Sequence, residues 1–501
     1  MAGASIEVRL ADEAATARLG EDLAAAAAAG DVFALAGDLG AGKTTLARGF
    51  IRALAGDPDL DVPSPTFTLV QPYEARLPVH HYDLYRLADG AELDELGFDE
   101  AVADGVALVE WPERAGDRLP STAVRIQLTP EGEGRLARIA GPDAAMARIG
   151  RSIDIRHFLG TAGAGEATRR FLLGDASARA YETIEAPGLP TRILMNSPRR
   201  PDGPPIRDGK PYSQIAHLAE TVVPFVAVDR ALRDAGYCAP AIHAQDLDRG
   251  FLLIEHLGDG GFLGDGAPVA ERYVAAARLL ADMHARTWPR RMPVAPGVTY
   301  ELPPYDRAAM LIETELLTDW YLPAETGAQP TNAVRADYAN AWTAVLDGIA
   351  DAEQTLVLRD FHSPNIIWRP ERSGFDRLGI IDFQDALWGP AAYDVASLAQ
   401  DARVTIPEPL ERTILDAYCA ARSAAGQFDR PAFERAYAVM AAQRNAKILG
   451  IFVRLNVRDG KPGYLKHLPR IRDYFARSMR HEALRPVADF LQRNGLAGEA
   501  A

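Results

Sequence analysis

Residues 355–386, TLVLRDFHSPNIIWRPERSGFDRLGIIDFQDA, decide the fold of the larger part of the chain. An apolar run at 355–358 leads into a short polar loop, and a second apolar run at 378–381 ends at Asp382. Short apolar runs bounded by polar residues are typical of buried strands. The pattern therefore predicts two strands that present polar side chains at their ends.

Three polar side chains in this stretch fit the chemistry of phosphoryl transfer. This reaction requires a carboxylate that orients the attacking hydroxyl and accepts its proton, and oxygen ligands that hold Mg²⁺ against the phosphates. Asp360 fits the catalytic role, whereas Asn365 and Asp382 fit the metal-binding role. The spacing follows the kinase pattern H-R-D-x-x-x-x-N and D-F-G, with Leu358 in place of His and Gln384 in place of Gly. A solvated acidic loop between two strands is the alternative interpretation.

The sequence of this region, RDFHSPNIIW followed by IIDFQDALWGPAAYDVASL, closely resembles that of the aminoglycoside phosphotransferase-like kinases. These are small-molecule kinases with the two-lobed α+β fold of protein kinases. The resemblance covers roughly residues 158–501 and implies an N-lobe at about 158–257 and a helical C-lobe at about 258–501. It also implies ATP as the phosphate donor and a supporting role for Asp394 beside the catalytic loop.

The same resemblance implies nucleotide contacts in the N-lobe. Residues 171–183 resemble a strand–turn–strand clamp in which Gly174 and Ser177 would cover the phosphates, and a plain hairpin is the alternative. The sequence FLLIEHLG resembles the hinge between the lobes, where backbone groups near Glu255 and Leu257 would meet adenine.

The strand predicted at 192–196 lacks the lysine that pairs with the phosphates in this family. Arg179 or Arg192 would then supply the cation, although a guanidinium differs from an ammonium in geometry. The missing lysine also leaves open that this half is a pseudokinase, which would serve as an interaction module.

Several segments, among them ILMNSP, FLLIEHLGD, LPPYDR and ELLTDWYL, most resemble the AmgK-type sugar kinases. This implies phosphorylation of the anomeric hydroxyl of N-acetylmuramate and N-acetylglucosamine in cell-wall recycling. Asn196 stands where that group leads us to expect an Asp. An aminoglycoside, choline or homoserine-type acceptor remains an alternative. Glu313 and Asp319 are candidates to line the acceptor pocket, and the arginine-rich later helices are predicted to be solvated surface.

Residues 1–145 contain a second phosphate-binding pattern. A helix predicted at 11–29 and a buried strand at 32–36 precede GDLGAGKT, which is G-x-x-x-x-G-K-[ST] in its strand-to-helix context. Glycines in such a loop allow the backbone N–H groups to approach phosphate, and the lysine reaches the terminal phosphates. The predicted nucleotide-binding residues are Gly37, Asp38, Gly40, Ala41, Gly42, Lys43, Thr44 and Thr45. The fold class is an α/β P-loop NTPase domain followed by the kinase-like domain.

A second apolar strand, predicted at 106–109, ends at Glu110. Beside a P-loop, an acid at this place is the carboxylate that orients water or holds Mg²⁺ together with Thr44. The segments GDLGAGKTT, SPTFTLV, HYDLYRL, ELGFDE and VEWPER occur in the order and spacing of the TsaE family.

TsaE proteins are the small ATPase subunits in the synthesis of threonylcarbamoyladenosine on tRNA. The resemblance implies switch-like loops at 64–67 and 81–85, Asp83 as a further catalytic or Mg²⁺-side carboxylate, and Trp111 near the nucleotide or a partner. It implies TsaD and TsaB proteins as partners and only indirect contact with tRNA.

Composition agrees with these expectations. The 501 residues carry a net charge of −15, which disfavours a surface that coats nucleic acid, and the two cysteines exclude a disulfide framework. We see no signal peptide and no apolar run of transmembrane length, so a cytoplasmic protein without a membrane segment is expected. The domain boundary is predicted near 146–157, as a short linker of mixed composition.

Overall fold

The computed structural model describes residues 5–90, 92–172, 179–199 and 202–496. Gly174 and Ser177, the predicted clamp residues, lie outside these ranges. The chain divides into two compact units: Met1–Ser197 with His243–His256, and Pro198–Ile242 with Leu257–Ala501.

A seven-stranded sheet forms the first part of the first unit. Its strands are β1 Ser5–Leu10, β2 Val32–Ala36, β3 Val70–Tyr73, β4 Val79–Asp83, β5 Val106–Glu110, β6 Val124–Glu131 and β7 Gly134–Ala140. The strand order is β1-β7-β6-β2-β5-β4-β3, with β2 parallel to β5 and β6, and β4 parallel to β5. The central strands are continuous apolar runs because both of their faces are buried.

Five helices accompany this sheet: α1 Glu13–Ala26, α2 Lys43–Ala55, α3 Glu92–Glu95, α4 Phe98–Asp104 and α5 Asp143–Thr161. Helix α1 is shorter at both ends than the predicted 11–29. It begins later because Asp12 caps its first turn by accepting the Ala15 N–H at 2.6 Å. Helices α1 and α2 pack closely through glycine, since a Cβ at Gly49 would lie 2.3 Å from the carbonyl oxygen of Ala17.

Residues 146–157, predicted as a mixed linker, lie inside the continuous helix α5. Met146 and Ile149 pack into the core of the seven-stranded sheet. Farther along the same helix, Phe158 and Leu159 pack into a second core, which contains Phe251. One helix therefore contributes apolar side chains to two cores, and its mixed composition reflects its remaining polar face.

The second core belongs to a five-stranded sheet in the same unit. Its strands are β8 Thr168–Leu172, β9 Ala180–Glu185, β10 Arg192–Asn196, β11 Ile242–Asp246 and β12 Phe251–Glu255, in the order β11-β12-β10-β9-β8. Neighbours β8 and β9, β9 and β10, and β10 and β12 are antiparallel.

A buried ionic cluster ties α1 and α5 to this second sheet. The Arg169 guanidinium on β8 donates to both carboxylate oxygens of Glu182, at 2.6 and 2.8 Å, and to Asp22 at 2.7 Å. Its backbone N–H donates to Glu21, and Arg156 of α5 pairs with Glu21 at 2.7 Å and with Asp22 at 2.8 Å. Buried carboxylates are tolerated only where such partners compensate their lost hydration.

The second unit is mainly helical. Its helices are α6 Tyr212–Ile215, α7 Val223–Asp234, α8 Ala270–His284, α9 Arg307–Leu316, α10 Leu322–Thr326, α11 Asn332–Asp347, α12 Ala392–Ala399, α13 Glu408–Ala425, α14 Arg430–Val457, α15 Leu468–Ser478 and α16 Arg485–Arg493. Four two-stranded ladders complete it: β13 Leu263–Gly264 with β14 Ala267–Pro268, β15 Arg291–Ala295 with β16 Val298–Glu301, β17 Gln354–Val357 with β20 Leu387–Pro390, and β18 Ile366–Trp368 with β19 Leu378–Ile380.

Helix α14 differs from the expectation of a solvated, arginine-rich surface. Its central residues Gln443, Arg444 and Asn445 are buried, and Arg444 is only 3% exposed. In the part of the chain that the structure describes, no helix is both long and apolar enough to cross a membrane.

We predict that Arg169→Met lowers the free energy of unfolding of the first unit by about 3–5 kcal/mol, because it leaves buried carboxylates uncompensated. The neighbouring Arg170→Met is the matched control: Arg170 forms a partly exposed pair with Glu185, so a loss below about 1 kcal/mol is expected. Urea unfolding of the full chain measures both. Equal losses in the two variants would contradict the role given to the cluster.

Candidate functional sites

The loop between β2 and α2 has the shape of a phosphate cradle. Gly37, Gly40 and Gly42 have φ angles of 145°, 79° and 100°, which L-residues with a side chain rarely adopt. A Cβ at Gly37 would also lie 2.6 Å from the carbonyl oxygen of Leu128. The loop ends at the N-terminus of the 13-residue helix α2, whose first N–H groups carry partial positive charge.

Lys43 folds back over this loop. Its Nζ donates to the carbonyl oxygens of Gly37 at 2.7 Å and Asp38 at 3.0 Å, and lies 3.7 Å from the centre of the Trp111 ring. Burial lowers the pKa of the Lys43 ammonium from its usual value, while the carboxylate of Glu110 opposes that shift. These neutral partners are weaker than phosphate, so the ammonium can exchange them for an anionic ligand.

Glu110 connects the P-loop to the parallel strand β4. One of its carboxylate oxygens accepts the Thr44 hydroxyl at 3.0 Å, and the other lies 2.9 Å from Nε2 of His81. Both Glu110 and His81 are buried. His81, which the sequence analysis assigned only to a switch-like loop, thus fixes the orientation of the carboxylate.

Asp83 at the end of β4 holds the loop 64–67. Its Oδ2 accepts the hydroxyls of Ser64 and Thr66, both at 2.6 Å, and its Oδ1 accepts the Tyr85 N–H at 3.1 Å. The two predicted switch-like loops therefore meet at one carboxylate.

A cavity of about 410 Å³ brings most of these predicted residues together. From the sequence predictions it is lined by Gly40, Gly42, Lys43, Thr44, Thr45, Asp83, Glu110 and Trp111. Ala41, within the loop, is buried. Glu13 and Arg135 also line the cavity, and sequence reasoning missed both because α1 and β7 carry no local phosphate-binding pattern.

In the second unit, Asp394 holds the conformation of the predicted catalytic loop. Its fully buried carboxylate accepts the N–H of Leu358 at 2.7 Å and the N–H of Arg359 at 2.8 Å. Arg359 has a φ angle of 73°, which is unfavourable for a residue with a side chain. The two hydrogen bonds hold this turn, and Asp360 follows it directly.

The side chain of Asn365 is hydrogen-bonded to both Asp360 and Asp382, the two other predicted residues of this site. Its Nδ2 donates to the carbonyl oxygen of Asp360 at 3.0 Å and to Oδ2 of Asp382 at 3.3 Å. Gln384, which replaces the usual glycine, donates to Oδ1 of Asp382 at 2.8 Å. Amide and carboxylate oxygens in this arrangement fit Mg²⁺, which takes one or two protein ligands together with substrate phosphates.

Asp360 is ionised in this setting. Burial opposes its ionisation, but nearby positive charges, above all Lys447 together with Arg359, outweigh burial and lower its pKa from the ordinary value. A half-buried carboxylate with a low pKa is a hydrogen-bond acceptor at neutral pH.

Glu313 organises these cations and does not line an acceptor pocket, which corrects the sequence expectation. Its fully buried carboxylate accepts Lys447 Nζ at 2.9 Å and Gln443 Nε2 at 3.0 Å, and it also binds Arg359 and the Tyr305 hydroxyl. The carboxylate of Glu313 thus faces two cations, Arg359 and Lys447. The negative charge of ionised Asp360 balances the remaining positive charge.

The contacts of the other predicted residues do not assign them a role in either site. Asp319 forms a partly exposed ion pair with Arg335. Arg192 stands opposite Glu255 in the β10–β12 ladder, while Arg179 directly precedes β9. Leu257 is buried and begins a segment of the second unit.

Asn196, expected as an aspartate, has a partner in α5. Its Oδ1 accepts two hydrogen bonds from the Arg151 guanidinium, at 2.9 and 2.6 Å. The residue that departs from the family pattern, Asn196, therefore contacts α5, the helix that packs into both cores.

Comparison with known proteins gives two family matches. The model of the threonylcarbamoyl adenosine biosynthesis protein TsaE matches residues 10–138, and that of the phosphotransferase enzyme family matches residues 168–434, more than half of the chain. The chain belongs to both families. Both resemblances and the predicted fold class are thereby confirmed.

Individual relatives agree with this division. The N-acetylmuramate/N-acetylglucosamine kinase of Caulobacter vibrioides is 36% identical over 63% of this chain and 88% of its own length. The tRNA threonylcarbamoyladenosine biosynthesis protein TsaE of Rickettsia conorii is 39% identical over 24% of this chain and 68% of its own length. Among solved structures, ADP-bound aminoglycoside phosphotransferase APH(2'')-Ib is 17% identical over 63% of this chain and 95% of that chain, with a TM-score of 0.39.

We predict that Glu313 makes the second unit sensitive to acid. Burial opposes ionisation of Glu313, but Lys447 and Arg359 lower its pKa from 4.5 to about 2. Because the folded pKa is lower than the unfolded one, the stabilisation is complete above about pH 4.5 and decreases as the pH falls towards 2. Glu313→Gln should therefore be less stable at pH 6 and should lose less stability than wild type between pH 5 and pH 3.

Urea unfolding at several pH values measures this effect. Glu325→Gln is the control, because Glu325 forms a partly exposed pair with Arg472 and should leave the wild-type pH dependence unchanged. An identical pH dependence in wild type and Glu313→Gln would show that the cluster does not hold an ionised carboxylate.

Proposed function

We propose that the chain is a bifunctional enzyme. Its C-terminal part would transfer the γ-phosphoryl group of ATP to the anomeric hydroxyl of N-acetylmuramate or N-acetylglucosamine in cell-wall recycling. Its N-terminal part would hydrolyse ATP in support of threonylcarbamoyladenosine formation on tRNA. The observation that carries the kinase proposal is the joining of Asp360, Asn365 and Asp382 by the Asn365 amide.

In the proposed kinase reaction, Asp360 orients the sugar hydroxyl and accepts its proton as the oxygen attacks the γ-phosphorus. The bond between this phosphorus and the β–γ bridging oxygen breaks, and ADP leaves. The cations gathered by Glu313 keep this carboxylate ionised. Asn365 and Asp382 would hold Mg²⁺, which would neutralise charge on the phosphates. Gln384 keeps the Asp382 carboxylate oriented.

In the proposed ATPase, Lys43 exchanges its carbonyl partners for phosphate oxygens. Thr44, Glu110 and Asp83 supply the oxygen atoms suited to Mg²⁺ or to a hydrolytic water. His81 holds Glu110 in place through its Nε2. TsaD and TsaB proteins are the proposed partners, tRNA would be contacted only indirectly, and the cytoplasm is the proposed compartment because both reactions consume ATP.

Another small hydroxylated acceptor is the second candidate for the C-terminal part. The absence of a lysine from β10 keeps the pseudokinase interpretation testable as well. A panel of amino sugars, aminoglycosides, choline and homoserine separates these possibilities, because only an active kinase forms a phosphorylated product with any of them.

We predict that Asp360→Asn lowers phosphorylation of N-acetylmuramate and N-acetylglucosamine by at least about 100-fold, because it removes the proton acceptor with little change in shape. Lys43→Ala should leave this activity at the wild-type level, since Lys43 belongs to the other site. Mass spectrometry of the sugar phosphate measures the product.

The outcome that contradicts the kinase proposal is absence of sugar phosphate from wild type under conditions where the chain is folded and binds ATP. Loss of sugar phosphorylation in Lys43→Ala would instead contradict the independence of the two sites.

A further inference from the structure

Arg454 lies on α14, the helix that also carries Lys447. The two residues are separated by two helical turns, so their side chains leave the same side of the helix, about 10 Å apart along its axis. Side chains on an α-helix tilt towards its N-terminus, which directs the Arg454 side chain back towards Lys447. The guanidinium carbon of Arg454 lies 5.2 Å from the centre of the Tyr212 ring.

Tyr212 connects this guanidinium to the proposed kinase site. Burial raises the pKa of the Tyr212 hydroxyl to about 12, and the charges of Glu313 and Lys447 also act on it. Glu313 and Lys447 form an ion pair at 2.9 Å, and Lys447 lowers the pKa of Asp360. The same tyrosine thus contacts Arg454 and lies near the charges that surround Asp360.

The Arg454 guanidinium lacks an anionic partner among the residues that the structure describes. The side chain is half-buried, its Nε is fully buried without a hydrogen-bond acceptor, and the neighbouring Asp459 is paired with Arg458 at 2.7 Å. Other described arginines of the second unit have a buried nitrogen without an acceptor, but each of them still pairs with a carboxylate: Arg359, Arg369, Arg377, Arg422 and Arg477.

The hydroxyl of Ser213, next to Tyr212 in the sequence, is also buried without a hydrogen-bond partner in the described part of the chain. Buried polar groups are normally hydrogen-bonded, and a permanently charged guanidinium requires a compensating anion when it is withdrawn from water. The surroundings of Tyr212 therefore fit a ligand that carries a negative charge.

The two proposed acceptor sugars differ in one charged group. N-acetylmuramate carries a lactyl ether that ends in a carboxylate, whereas N-acetylglucosamine has a free hydroxyl at the same ring position. We propose that Arg454 binds the lactyl carboxylate of N-acetylmuramate while Asp360 contacts the anomeric hydroxyl. A planar guanidinium donates paired, charge-assisted hydrogen bonds to a carboxylate, which suits it to this ligand. This inference rests on the proposed sugar-kinase function and adds a residue that distinguishes the two acceptors.

Steady-state kinetics of the full chain with each sugar in turn, at saturating MgATP, tests the proposal. Arg454→Gln should raise KM for N-acetylmuramate about tenfold to a hundredfold, the order expected for lost hydrogen bonds to a charged group. Its kcat should stay within about twofold, because the lactyl group takes no part in the reaction. KM for N-acetylglucosamine should also stay within about twofold, since this sugar has no carboxylate. Arg454→Lys should lose less than Arg454→Gln, because it keeps the charge without the planar donor geometry.

Arg458→Gln is the matched control one helical turn farther along, and both KM values should stay within about twofold of wild type because its ion pair with Asp459 is exposed. Thermal unfolding of each variant checks that the chain remains folded. An unchanged KM for N-acetylmuramate in Arg454→Gln, equal rises for the two sugars, or a rise in KM for ATP would overturn the assignment of Arg454. Product from N-acetylglucosamine alone in wild type would overturn it as well, whereas absence of product from both sugars would overturn the proposed kinase function itself.

Discussion

The pair of hydrogen bonds that the Asp394 carboxylate accepts from Leu358 and Arg359 is the constraint on which the kinase site depends. These bonds hold Arg359 in a conformation that costs on the order of 1 kcal/mol or more in isolation. The same turn directs the Arg359 side chain to Glu313 and places Asp360 next to it in sequence. A fully buried acid thus determines both the shape of the loop and the electrostatic surroundings of Asp360, the proposed catalytic carboxylate.

Buried charges are grouped into compensated sets in both units. In the first, Arg156 and Arg169 compensate the carboxylates of Glu21, Asp22 and Glu182. In the second, Glu313 compensates Arg359 and Lys447, and ionised Asp360 completes the balance. Such sets add little net stability compared with apolar packing, but removing one member is costly because the others lose their partner. In the second unit this cost extends to Asp360, the proposed catalytic residue, because the charges of Lys447 and Arg359 lower its pKa.

The sequence alone was sufficient to predict the elements whose geometry depends on residues nearby in the chain. The P-loop and the stretch 355–386 are short and continuous, and their glycines, strand ends and carboxylates follow from nearby residues alone. It was insufficient for contacts between distant segments. The mixed composition of 146–157 concealed a helix that packs into two cores, and the polar centre of α14 resembled solvent-exposed surface although Arg444 is buried. Arg135 was missed, and Glu313 was assigned to an acceptor pocket, for the same reason: only the tertiary fold brings Arg135 to the P-loop cavity and Glu313 to Arg359 and Lys447.

The proposed function requires two separate nucleotide sites of unrelated folds in one chain. Calorimetry in the presence of Mg²⁺ can count the molecules of a non-hydrolysable ATP analogue bound per chain. We expect two for wild type, one for Lys43→Ala and one for Asp382→Ala, with the remaining site keeping its wild-type affinity in each variant. A single molecule bound by wild type, or loss of both by either substitution, would contradict it.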